Sequence, residues 1–220
     1  MQLTAKNASS ATLIHYGIYT AVRLEAKNET QKLSAPIRAG IKSLKTKRND
    51  TEDKGEDTSA ALALRDEADN NADDAVMALS LELLSAVKNN RSDARYKKIF
   101  LSNPSAITSL PIPAELNALE LLEQRLSADS KDDLYKKHLP LIKSARIALA
   151  QAHASLEGSM KAEKNSADIE TISQSDLRET LTKTYGKLID LFDKQTAEKY
   201  FRKLSKTAKK AAAATPPATK

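Results

Sequence analysis

Cysteine and tryptophan are missing from this chain, and its 220 residues hold only five glycines and three histidines. Without cysteine there is no disulfide scaffold, thiolate metal site or cysteine nucleophile. The glycines stand at 17, 40, 55, 158 and 186, too far apart for a Walker A loop, a Gly-x-Gly-x-x-Gly turn or a Gly-x-Ser-x-Gly elbow. His-Glu-x-x-His is absent, and Thr12, Tyr135 and Ala150 occupy the positions three before the histidines, so no Glu-x-x-His pair forms. Aromatics make up only 4% of the chain, too few for a sandwich or barrel core. No stretch of about eighteen apolar residues offers a membrane span. Neither is there a charged stretch followed by an apolar run at the start, so no export signal is expected and a cytoplasmic location is.

Leu, Ala, Lys and Glu dominate what remains, and they favour helix. The expected fold is all-α, a mainly antiparallel bundle of five to seven helices forming one domain over residues 1–204. A Lys/Ala/Pro tail at 205–220 is expected to be disordered, because it has too little apolar surface to order itself. Net charge is +6 but unevenly spread: residues 1–50 carry +6, residues 51–95 carry −6, and residues 194–220 carry +7.

Ser9 or Ser10 can cap a first helix, with Ile14, Ile18, Ala21, Val22 and Leu24 at near-helical spacing. Residues 11–46 are then one kinked helix or two. Residues 45–58 contain no apolar side chain and read as a mobile polar loop. A strong helix follows over 58–89, with Ala61, Leu64, Ala68, Ala72, Ala75, Leu79, Leu83 and Ala86 as its buried stripe. Prolines 104, 111 and 113 break an apolar connection at about 101–113. Leu116, Leu119, Leu122 and Leu126 mark the next helix, with Glu115 near its positive end. Ser130 can cap a further helix. Residues 131–192 are one long helix or two with a break near 165; Ile169 and Ile172 are able to carry the apolar face across. Asp93-x-x-Tyr96-Lys97-Lys98 echoes Asp132-x-x-Tyr135-Lys136-Lys137, which reads as a shared way of starting a helix rather than a structural repeat.

Candidate chemistry is sparse. His153 reads as a satisfied core or boundary histidine on an apolar stripe, and His15 and His138 as surface or capping residues. Asp66, Glu67, Asp69, Asp73 and Asp74 read as the solvated side of an amphipathic helix, because a cation site wraps its carboxylates around a loop. No catalytic, cofactor or metal residues are assigned. The basic C-terminus, Lys199, Arg202, Lys203, Lys206, Lys209 and Lys210, is the candidate contact for nucleic acid or an acidic surface. About the last 17 residues resemble, in composition alone, the Lys/Ala/Pro tails of chromatin-type linker proteins. That resemblance implies salt-sensitive, sequence-independent phosphate contacts. The leading expectation is a non-enzymatic interaction or scaffolding protein, self-assembling or with a protein partner. The alternative is a nucleic-acid-associated helical protein.

Overall fold

A computed structural model describes Thr4, residues 8–129 and residues 132–203. The described residues form seven α-helices and no strand: α1 (Ser10–Glu25), α2 (Ser34–Ala86), α3 (Ala94–Ile99), α4 (Ser105–Thr108), α5 (Ile112–Ser127), α6 (Asp133–Leu191) and α7 (Lys194–Glu198). The chain is therefore all-α, as its composition predicts. It divides into two compact units. Unit 1 comprises residues 1–53 and 164–220, and unit 2 comprises residues 54–163. The chain passes from one to the other inside α2 and returns inside α6. The tail at 205–220 and the Ser130 cap lie outside the described residues.

In unit 1, Ser9 caps α1 by accepting the Thr12 N–H at 3.3 Å. The helix closes at Ala26, and the Thr30 hydroxyl donates back to the Leu24 carbonyl at 2.7 Å. The 11–46 stretch is thus two helices, joined by a short 3-10 turn at Gln31–Leu33. They run antiparallel, with the Arg38 guanidinium held by both Glu25 carboxylate oxygens at 2.9 Å. Leu13, Tyr16 and Leu24 of α1 meet Ile37, Ile41 and Leu44 of α2 and Leu177, Leu181 and Leu188 of α6. Asp193 caps α7, and Tyr200 and Phe201 close this core. Phe201 stands edge-on to Tyr185, with centroids 5.5 Å apart.

The polar loop expected at 45–58 is helix throughout, the middle of α2. Three features hold it without an apolar stripe. Ion pairs one turn apart link Lys47 to Asp50, Arg48 to Glu52 and Lys54 to Asp57. Thr51, Thr58 and Ser59 return their hydroxyls to carbonyls four residues back, at 3.0 Å each. The α6 segment opposite it in unit 1 is itself polar: Ser43 meets Ser173 and Thr51 meets Ser166, both at 3.4 Å. Small hydroxylic side chains replace the apolar contacts that periodicity would detect.

The same polar contact explains why α6 shows no break near 165. Ser166, Glu170 and Ser173 line its inner face, while Ile169 and Ile172 point outward. The expected continuation of the apolar face through those isoleucines is therefore wrong. Pro140 sits about two turns into α6 without ending it.

In unit 2, Ala68, Ala72, Val76, Leu79 and Leu83 of α2 pack on Leu119, Leu122 and Leu126 of α5 and Tyr135, Ile142 and Leu149 of α6. Leu64, expected in the stripe, is 67% exposed. The α2 terminus turns through left-handed conformations at Lys88 and Asn89, where the Asn89 N–H reaches the Leu84 carbonyl at 2.8 Å. The connection at 101–113 is broken by prolines as expected, though it contains the single turn α4, and Leu101 is exposed rather than packed. Both echoing segments start helices. Asp93 accepts the Arg95 N–H and Asp132 the Leu134 N–H, each two residues on, and Tyr96 and Tyr135 are buried three residues after each Asp.

Candidate functional site

Three polar arrangements stand out, each within one unit. The first is a cluster of carboxyl groups in unit 2. Pro111 precedes α5 as its N-cap, so Glu115 falls in the first turn. There its side chain is buried, with the residue only 1% exposed, and faces Asp69 and Asp73 of α2. The expected solvated acidic face is thus split. Asp66, Glu67 and Asp74 are exposed, whereas Asp69 and Asp73 are half-buried. Burial first, then the negative charges of Asp69 and Asp73, pushes the Glu115 carboxyl up to about 8. Asp73 is raised too, by burial and by Asp69 and Asp74. As carboxylates, Glu115 Oε1 and Asp73 Oδ1 have no donor. One proton on Glu115 turns this repulsive set into a hydrogen-bond donor among acceptors. Among the described residues no group of three or more His, Cys, Asp or Glu is arranged to hold a metal ion.

The second arrangement is His138. It is buried rather than at the surface as expected, because the inner face of α6 begins at Tyr135 and His138, a turn earlier than the leucine stripe implies. Its Nε2 lies 3.2 Å from the Glu82 carboxylate, which Lys137 also engages at 2.5 Å. Those two hydrogen bonds hold Glu82 below the usual carboxylate range. Nearby on α6, Arg146 pairs with the largely buried Glu123 of α5 at 2.5 Å. His153 is half-buried, with Nε2 3.6 Å from Glu157, and so sits at a boundary as its spacing implies. His15 is exposed.

The third is a groove between α1 and α2 in unit 1, of about 270 Å³. Ile14 and Ile18 form its apolar wall; His15, Lys45, Arg48 and Asn49 form its polar side. No acidic residue lines it. Arg48 is tied to Glu52 at 2.6 Å, while Lys45 and His15 make no ion pair among the described residues. Val22 and Tyr19 continue the outer face of α1 and are 51% and 41% exposed. Val22, expected to lie with the buried residues of its helix, therefore faces out.

Of the basic residues singled out at the C-terminus, Lys199, Arg202 and Lys203 are exposed on unit 1 and form no ion pair among the described residues. Lys206, Lys209 and Lys210 lie outside the described residues. Tyr200 and Phe201, interleaved with these cations, are core side chains and have no face free for stacking on a base. No described helix is long and apolar enough to cross a membrane. In comparisons with known proteins, no family model, no curated protein and no solved structure matches this chain.

Proposed function

We propose that this is a non-enzymatic helical interaction protein of the cytoplasm, working through side chains that its two cores leave outside. One observation carries the reading. Helices whose inner faces are already packed also bear large apolar residues on their outer faces: Tyr19 and Val22 on α1, Met77 and Leu81 on α2, and Ile169 and Ile172 on α6. Neighbouring apolar side chains exposed on a helix face lose less by contact with a partner than by contact with water. A photo-crosslinking residue placed at Val22 or Leu81 and activated in cells tests this. The expected result is a discrete protein adduct at these positions and none at the exposed, polar Lys161. Equal, diffuse labelling at all three would overturn the reading.

A second reading, binding of nucleic acid, is favoured by the charge of unit 1. Its residues include 21 Lys/Arg against 12 Asp/Glu, a net of +9, and Lys199, Arg202 and Lys203 are exposed. Such binding is carried by phosphate contacts and weakens steeply with salt. If a chain ending at Lys203 and the full chain both pass unretarded over DNA and RNA at low salt, that reading fails.

A further inference from the structure

We infer that the groove between α1 and α2 receives the acidic outer face of α2 from a second copy of the chain, giving a head-to-tail assembly. The inference rests on the reading of the protein as an interaction protein and names its partner. The argument begins with two surfaces of opposite character. The groove in unit 1 is lined by Ile14 and Ile18, one helical turn apart, and by a polar side with Lys45 and Arg48, of which Lys45 makes no ion pair among the described residues. In unit 2, Leu62, Asp66, Asn70, Asp74, Met77 and Leu81 recur at i, i+4, i+8, i+12, i+15 and i+19, so they share one face of α2. All six are exposed.

This face carries the complement of the groove. Met77 and Leu81 are exposed one turn apart, about 6 Å, and can lie on the half-buried Ile18, while Ile14 belongs to the core and forms only the floor of the groove. Asp74 stands one turn before Met77 on the same exposed face, so a charge accompanies the apolar pair. Asp66 lies two turns further, held only by its neighbour Arg65 at 2.5 Å, and Asp74 has no ion pair among the described residues. Residues 62–81 contain five acidic residues against one basic, a net of −4, while unit 1 carries +9. Charge complementarity of this kind sets orientation and rate, and the apolar pairs supply contact.

A second copy fits better than nucleic acid for this groove, because the isoleucine wall offers phosphate nothing. Each copy has one groove and one acidic face, so the contact is heterologous and propagates unless it closes into a ring.

That asymmetry provides the test. Lys45→Glu/Arg48→Glu reverses the groove, and Asp66→Lys/Asp74→Lys reverses the face. Circular dichroism first establishes that each variant keeps its helix content; Lys45→Gln/Arg48→Gln and Asp66→Asn/Asp74→Asn substitute where a reversal unfolds the chain. Sedimentation velocity is then run on each alone and on the equimolar mixture. Wild type is expected to associate at low salt, and each variant to weaken association at least tenfold. The mixture of the two reversals is expected to regain assembly, since the wild-type face meets the wild-type groove and the reversed groove meets the reversed face, whereas the mixture of the Gln and Asn variants is expected to stop at a dimer. Wild type that stays monomeric at all concentrations overturns the inference, as do variants that assemble like wild type or a mixture that stays monomeric. Retention on RNA lost with Lys45→Glu/Arg48→Glu, in a chain that never self-associates, overturns it in favour of nucleic acid. A discrete cross-link from Val22 to a different protein leaves the interaction reading standing while this inference falls.

Discussion

Unit 1 and unit 2 are built on the same two helices, α2 and α6, and they differ in what they bury. Unit 1 closes its core with Tyr16, Tyr200 and Phe201; its sequence carries a net of +9, and Lys199, Arg202 and Lys203 are exposed on it. Unit 2 has a leucine-rich core, a net of −3, and ionisable groups taken inside: Glu115 against Asp69 and Asp73, and His138 against Glu82. The difference teaches which solution condition each unit answers to. Surface charge of one sign responds to salt, whereas a buried carboxyl among carboxylates responds to pH.

The largest expected effect puts the two cores on equal terms. Leu122→Ala in unit 2 and Leu188→Ala in unit 1 each delete a fully buried side chain, and each should cost about 2–5 kcal/mol in urea denaturation. A loss below about 1 kcal/mol in one alone would mean that its unit is loosely packed.

Next comes pH, which should separate the units. The Glu115 carboxyl is raised in the folded chain to about 8, above the ordinary 4.5 that it takes in the unfolded chain. Below the ordinary value both states hold the proton and nothing is lost. As pH rises toward 8 the unfolded chain releases its proton more readily, so stability falls across that window. At about 1.4 kcal/mol for each unit of displacement the loss approaches roughly 4 kcal/mol. Glu115→Gln keeps a donor without a charge and should flatten the profile and raise stability at pH 8. Amide exchange followed across pH should loosen first at α5, and an unchanged profile in Glu115→Gln would break the comparison.

Glycine substitutions give a smaller contrast. A Cβ at Gly17 would stand 3.1 Å from Ile41 Cγ1, and one at Gly40 would stand 3.0 Å from Leu177 Cδ1, so the helices of unit 1 approach closely there. At Gly158 and Gly186 a Cβ meets nothing within 4 Å. Alanine at 158 or 186 should raise the melting point, by about 0.5–1 kcal/mol of helix propensity. Alanine at 17 or 40 should lose that gain to crowding. Smallest of all, Arg38→Ala removes an exposed two-point pair with Glu25 and should cost no more than about 1 kcal/mol, less in high salt.

Much of this architecture is legible locally. Ser9 and Asp193 act as caps, Leu119, Leu122 and Leu126 form a buried stripe, and prolines break the segment before α5. What local pattern misses is what lies across from a segment. Residues 45–58 look like loop because no apolar stripe exists, yet in unit 1 Ser43 and Thr51 meet Ser173 and Ser166, and hydroxyls suffice. Glu115 has the position of a charge favoured at a helix start, and nothing in its neighbours announces that this turn packs on Asp69 and Asp73. His138 is missed for a related reason: its partner Glu82 is 56 residues away. The groove of unit 1 is formed by residues some thirty apart, His15 and Lys45, so only the antiparallel pairing of α1 and α2 assembles it.

Salt and concentration together test the central claim, that a basic groove in one unit and an acidic face in the other join separate copies. Sedimentation equilibrium of the full wild-type chain, over a hundredfold range of concentration at low and high salt, measures it directly. The predicted result is a mass that climbs with concentration beyond the 24.0 kDa monomer at low salt and falls back toward it at high salt. A mass of one chain at every concentration and at both salt levels would contradict it.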